Sequence, residues 1–291
     1  MTDTGNPSRG NWTGSTAFVL VAAGSAIGLG NIWKFPFITG MNGGGAFVLV
    51  YLLCIAIIGL PILAAEMLIG RKGGRGPVTT FATLASKERG GKAWSVFGWM
   101  AVITAFILLS YYSVVGGWTI AYAVKTVSGA FSADVVEEIP GMFDAFVTNS
   151  TQVVLYHLLF MTVTILVVIG GVQGGIERAA KILMPALGVL LLILLGRSLV
   201  SDGAGKALTF MFYPDFSKLT PAGILEAMGH AFFTLSLGMG AILVYGSYLK
   251  KEERIFKAAL AVGILDTVIA LVAGVMIFGI VFSSDLEPAA G

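Results

Sequence analysis

Long apolar runs separated by short polar stretches dominate the chain, near residues 14–39, 46–70, 94–126, 152–172, 180–200, 222–249 and 256–283. A bilayer span needs about 20 apolar residues, so the pattern predicts an all-α integral membrane protein with seven transmembrane helices. The third run exceeds a perpendicular span, which predicts tilt or extension beyond the bilayer. Two runs are interrupted. The first contains GSAIGLGN, Gly24 to Asn31, closed by Lys34, Phe35 and Pro36. Glycine costs roughly 1 kcal/mol against alanine at a helical position, and in hydrocarbon every backbone group freed by a break needs another partner. Gly24 and Gly28 alone would also suit a helix-packing GxxxG. Gly30, Asn31 and Pro36 favour a break, and a break at membrane depth predicts the wall of a binding site. The sixth run repeats the pattern, with Thr234, Ser236, Gly238 and Gly240 at its centre. Segments one and six would enter from opposite sides, which predicts an inverted-repeat secondary transporter with a midplane site.

Composition sharpens this reading. Of 291 residues, 56% are hydrophobic and 12% charged, against about 25% charged in soluble domains. With the N-terminus inside, thirteen of the eighteen Lys and Arg fall on the cytoplasmic side, which sets the orientation. The acidic stretch with Asp134, Glu137, Glu138 and Asp144 then lies outside. The net charge of +2 follows from topology and calls for no nucleic-acid partner. Cys54 has no intrachain partner for a disulfide.

Few residues carry chemistry. Asp266 is the one acid of the seventh span, and a bound cation is its natural partner. Glu66, in the second span, reads equally as a functional acid or as a structural tie to a broken neighbour. Arg9 and Trp12 precede the first span, where an interfacial anchor is the simple reading. Of the adjacent Tyr111 and Tyr112, one could face a cavity while the other faces a neighbour, or both simply pack. The Gly43–Gly45 run lacks the lysine of a P-loop and reads as a turn. Residues 71–93 read as a basic, glycine-rich loop. His157 and His230 lack metal-ligand spacing, and no nucleophile–base pair is evident, so an enzyme is not expected.

The stretches GSAIGLGNIWKFPF, NGGGAFVLVY, GLPILAAEMLIGR, GIERAAKILMP and GHAFFTLSLGMGAILVYGSY resemble the neurotransmitter:sodium symporter family, within it bacterial carriers of hydrophobic and aromatic L-amino acids. The inverted-repeat rule was itself drawn partly from this family, so the two readings are not independent. The resemblance implies an inverted five-plus-five repeat with segments 1 and 6 unwound at midplane. The corresponding division is a cytoplasmic N-terminus (1–13), a first repeat (14–200) and a partial second repeat (201–291). Family members carry eleven or twelve spans and this sequence stops after the seventh, so the last helices are missing and an N-terminal fragment, inactive alone, is expected. The implied location is the plasma membrane, as a multi-pass protein of the bacterial inner membrane.

The resemblance also implies a site. A first sodium would meet the Ala26 carbonyl, Asn31, Thr234 and Asp266, hard oxygen donors suited to a hard cation. A second would meet the carbonyls of Gly24 and Ile27, its other ligands lying outside this sequence. The substrate carboxylate would meet the amides of Leu29 and Gly30, at a helix N-terminus, and the Tyr112 hydroxyl. Its ammonium would meet oxygens of Ala26, Phe233, Thr234 and Ser236. Leu108, Tyr112, Val115, Phe233, Ser236 and Met239 would line the side-chain pocket. Lys34, Tyr112 and Phe233 would form the outer gate, and Arg9, Trp12 and Tyr248 the inner one. The positions matching a chloride site in some relatives are Tyr51, His230, Thr234 and Ala270; Asp266 there supplies a fixed negative charge, so no chloride is expected. A protonated, merely hydrogen-bonded Asp266 is the alternative. The expected partners are sodium, an amino acid and membrane lipid. A truncated, inactive transporter or a seven-span receptor is the competing reading.

Overall fold

The computed structural model describes residues 12–87, 90–131 and 139–288. Arg9, Asp134, Glu137 and Glu138, all singled out above, lie outside these residues. Among the described residues every regular element is helical. In chain order they are α1 (Ser15–Ala26), α2 (Phe35–Met41), α3 (Gly45–Cys54), α4 (Leu60–Gly73), α5 (Pro77–Lys87), α6 (Ser95–Val127), α7 (Ile139–Thr148), α8 (Ser150–Ile169), α9 (Arg178–Leu199), α10 (Ala204–Phe212), α11 (Pro221–Thr234), α12 (Ala241–Gly246) and α13 (Ile255–Ser283).

Among the described residues, five stretches are long and apolar enough to span a membrane: Gly45–Gly73, Lys92–Val127, Ser150–Ile169, Val172–Leu199 and Ile255–Ser283. They lie within a few residues of the runs read from the sequence, save the fifth, whose helical stretch begins earlier, at Val172. The first predicted span is a bent pair, Ser15–Ala26 with Gly30–Met41, turning by 52°. The sixth is divided into α11, 14 residues, and α12, six residues. Each piece is shorter than a span, because the chain leaves the helix between Leu235 and Gly240. Pro185 sits inside α9 without ending it.

The chain packs as two units, one of Met1–Val102 with Glu177–Gly291 and the other of Ile103–Ile176. In the first, α13 is the central helix and touches α1, α4, α9 and α10. Its buried face carries Ala259, Gly263, Ala270, Ala273 and Gly274, small residues that let neighbouring helices approach closely where hydrocarbon gives no hydrophobic drive to association. In this unit α4 and α12 approach closely. A Cβ on Gly70 would lie 2.0 Å from the Leu243 carbonyl oxygen, and one on Gly246 would lie 2.7 Å from that of Met67.

In the second unit, α6 meets α8 where a Cβ on Gly117 would lie 2.7 Å from the His157 backbone nitrogen. Trp118 stacks edge-on against Phe143, with centroids 5.4 Å apart. Asn149 caps α8, its side chain accepting from the Gln152 amide at 3.1 Å.

Residues 71–93 correct the sequence reading, which had a loop there. Pro77 opens a helix and Lys87 ends it, as their positional preferences allow. Apolar Val78, Phe81, Leu84 and Ala85 recur at helical spacing within only 11 residues, too few to register in a search for spans. The Gly43–Gly44 turn does form, at φ 80° and 85°.

Candidate functional site

The two interrupted segments meet on α13. At Ile27 the backbone turns extended, with φ −74° and ψ 113°. The Gly28 amide, which a continuing helix would direct to the Gly24 carbonyl, donates to Asn31 Oδ1 at 3.0 Å. The break therefore releases a carbonyl and is stabilised by a side chain from its own far edge. Leu29 and Gly30 open the second piece, where amides lack a preceding turn.

Asn31 projects into a fully buried polar cluster. Its Nδ2 donates to Asp266 Oδ1 at 2.8 Å, to the Asp266 carbonyl at 3.1 Å and to Thr234 Oγ1 at 3.2 Å. The Thr234 hydroxyl donates to the Asp266 carboxylate, 2.9 and 3.1 Å from its two oxygens. All three residues are at most 1% exposed. The carboxylate thus receives neutral donors only, and among the described residues it has no cationic partner. A buried charge so placed is expensive without a counter-charge. Asn31, Thr234 and Asp266 each carry a side-chain oxygen, so the cluster gathers three residues with oxygen donors. Among the described residues no three His, Cys, Asp or Glu gather as for a transition metal. The donor set fits a small hard cation.

Around the second break, Ser236 adopts the left-handed backbone region at φ 56°, which costs about 1–3 kcal/mol for a residue other than glycine. Its hydroxyl donates to the Ser25 carbonyl at 3.0 Å, so a carbonyl of the first break finds its partner in the second. Gly238 and Gly240 follow at φ 79° and 75°. Half-buried Glu66 accepts the Gly238 amide on Oε1 at 2.7 Å. This bond gives a test of its two readings. Glu66→Ala strands a donor and should destabilise by about 1–3 kcal/mol. Glu66→Gln keeps an acceptor and should retain most of the melting temperature and of any uptake. A glutamine variant as damaged as the alanine variant would show that the charge itself is needed.

Lys34 lies with Nζ 4.7 Å from the Phe233 ring centroid, an ordinary cation–π distance. At the other end of α1, the Trp12 indole donates to the Tyr245 carbonyl at 3.0 Å and stacks edge-on against Tyr248 at 5.9 Å. Beside it, the Thr13 amide donates to Glu177 Oε2 at 3.2 Å, the Thr13 hydroxyl donates to Glu177 Oε1, and Lys181 pairs with Glu177 at 2.6 Å. The sequence reading missed Glu177, Lys181 and Tyr245. Glu177 stands in VQGGIE, which reads as a linker; its signal was a lone acid beside two glycines.

Tyr51 and His230 sit 5.4 Å apart by ring centroid, with Phe35 5.9 Å from His230. Neither ring nitrogen of His230 has a hydrogen-bond partner among the described residues. Ala270 is fully buried on α13. Leu108, Tyr112 and Val115 lie on α6 in the Ile103–Ile176 unit, whereas Ala26, Phe233, Thr234, Ser236 and Met239 belong to the other.

A membrane protein of broken helices gathered round one buried acid is the class these features define, and comparison with known proteins places it. The chain belongs to the sodium:neurotransmitter symporter family, whose model matches residues 9–138 and 137–285. It is 41% identical to the uncharacterized sodium-dependent transporter YhdH of Bacillus subtilis (strain 168), over 96% of this chain and 61% of that protein. It is 37% identical to an uncharacterized sodium-dependent transporter of Haemophilus influenzae, over 99% and 64%. The crystal structure of MhsT in complex with L-phenylalanine shares its fold at TM-score 0.90 and 47% identity, covering 98% of this chain and 64% of that one. The chain therefore spans less than two thirds of the length of these relatives.

Proposed function

We propose that the whole protein carries a hydrophobic or aromatic amino acid into the cell with sodium, by alternating access. The observation that carries this reading is the buried Asn31–Thr234–Asp266 cluster at the junction of two broken helices. Sodium is the co-transported ion: bound there it would neutralise Asp266 and draw together α13 and the two breaks. The Gly24 and Ile27 carbonyls belong to a second, partial sodium site in this proposal. Each ion shifts the balance of outward- and inward-facing states only by its differential affinity for them.

The substrate would lie against Ala26, Leu29, Gly30, Phe233, Thr234 and Ser236, with Met239 toward its side chain. The L-phenylalanine bound to MhsT supports an apolar substrate, and flexible methionine at 239 can re-pack around different shapes. Lys34 over Phe233 belongs to the outer gate; Trp12 with Tyr248 belongs to the inner one. The N-terminus is cytoplasmic, the membrane is the bacterial inner membrane, and the two repeats divide near residue 200. Chloride is dispensable, because Asp266 supplies the negative charge beside the cation, Ala270 has no donor to offer and His230 is packed among rings.

Competition uptake with the whole protein in proteoliposomes tests this. Leucine, tryptophan or tyrosine should compete well above glycine or glutamate, and uptake should persist when gluconate replaces chloride. The opposite ranking, or uptake that vanishes without chloride, would sink the corresponding half of the proposal.

A further inference from the structure

Away from the broken helices, α4, α5 and the turn Lys92–Trp94 enclose an open groove of about 320 Å³, lined by Ile69, Phe81, Leu84, Ala85, Gly90 and Trp94. Its size falls at the lower end for small-ligand sites, yet none of these side chains offers a hydrogen-bonding group except the Trp94 indole. Phe97 backs the groove, 5.4 Å from Trp94 and 6.2 Å from Phe81 by ring centroid. Trp94 and Phe97 remain 49% and 47% exposed, so the wall is apolar and uncovered. Gly90 closes the end of α5 by donating to the Ala85 carbonyl at 2.7 Å. A Cβ there would lie 3.0 Å from the indole nitrogen, so glycine lets the ring lie close along the chain.

Two further facts say what this surface meets. The span Gly45–Gly73 ends beside the groove and the span Lys92–Val127 begins there, which puts it at headgroup level, where tryptophan is enriched. Basic residues flank the lining along the chain: Lys72 and Arg75 follow Ile69, Lys87 follows Ala85, and Lys92 precedes Trp94. All four are exposed, and the one ion pair among the described residues, Lys181–Glu177, lies elsewhere. Glu88 and Arg89, outside the described residues, offset one another in formal charge.

An apolar trough with cations beside it at headgroup level suits an amphiphile with a hydrocarbon chain and an anionic head. We propose that the groove holds one acyl chain of an anionic phospholipid from the surrounding bilayer, its phosphodiester paired with Lys87 and Lys92. A zwitterionic lipid could fill the groove equally but would leave the cations with a neutral head. Each lysine near an anionic lipid surface favours binding by about fivefold, so the pair predicts a preference of about twenty-five-fold.

Trp94 is the built-in reporter. The fluorescence of the purified protein, less that of Trp94→Phe, isolates its emission from the other four tryptophans. Phosphatidylglycerol with brominated acyl chains should quench that share at about twenty-five-fold lower lipid mole fraction than brominated phosphatidylcholine. Lys87→Ala with Lys92→Ala, both exposed and away from the core, should bring the two lipids to within about twofold. Equal quenching by both lipids in the unaltered protein would overturn the proposal. So would quenching by neither, which would assign the groove to a segment of protein.

Discussion

Replacing Asp266 with asparagine is expected to raise the sodium concentration for half-maximal uptake by the whole protein about thirtyfold, with the fold preserved. Asparagine has nearly the same shape and still offers an oxygen to Thr234 and Asn31, so the cluster loses its charge but little packing. Two unit charges about 4 Å apart are worth on the order of 4 kcal/mol at an effective dielectric near 20. The amide dipole retains part of that, leaving a loss of about 2 kcal/mol, or some thirtyfold. The measurement is initial uptake rate against sodium, with size-exclusion and melting profiles as controls for folding. If Asp266 instead carries a proton and merely hydrogen-bonds, the variant is almost isosteric and its sodium dependence should not move. An unmoved curve would therefore remove the cation from this cluster.

A substitution of Gly70 by valine should damage the fold severely. The new Cβ would sit 2.0 Å from the Leu243 carbonyl oxygen, 2.9 Å from its carbon and 3.1 Å from its Cα. Every atom it meets is backbone, so no side-chain rotation relieves the clash and α12 must move away from α4. Overpacking costs typically 1–3 kcal/mol; at the upper end, with about 2–4 °C per kcal/mol for a chain of this size class, the melting temperature should fall by about 6–12 °C. Uptake should fall too, because Glu66 stands one turn earlier on α4 and bonds Gly238 just before α12. Gly188→Ala is the control: a Cβ there meets nothing within 4 Å, and removing a helical glycine should be neutral or mildly stabilising. A valine variant that melts with the parent would mean that α4 and α12 are not in this contact.

The two breaks were legible because their cause is local. Gly24, Gly28 and Gly30 weaken one stretch of helix, and Gly238 and Gly240 another, whatever surrounds them. Pro36 was expected to limit further helix, yet the helical piece runs through it from Gly30 to Met41, with a π-helical stretch, Gly30–Lys34, just before it. The amphipathic α5 escaped notice because a search for membrane-length runs ignores 11-residue helices. Glu177 escaped because nothing near it in sequence calls for a carboxylate; its partner Thr13 is 164 residues away.

Seen from the sequence alone, this is a multi-pass membrane protein with two faulted spans. Hydrocarbon imposes that conclusion through a rule acting on about 20 consecutive residues, which can be checked without knowing any neighbour. Resemblance to a family could suggest that Asn31, Thr234 and Asp266 belong together, but the apolar pattern could not. Asn31 is 203 residues from Thr234 and 235 from Asp266, and only the tertiary fold, which sets Asn31 and Thr234 both against Asp266 of α13, brings them within hydrogen-bond distance. The tertiary structure likewise decided which donors meet the buried carboxylate, which backbone approaches Gly70, and where an apolar groove stays uncovered. Each depends on how helices far apart in the chain come to lie against one another, and no local pattern carries that information.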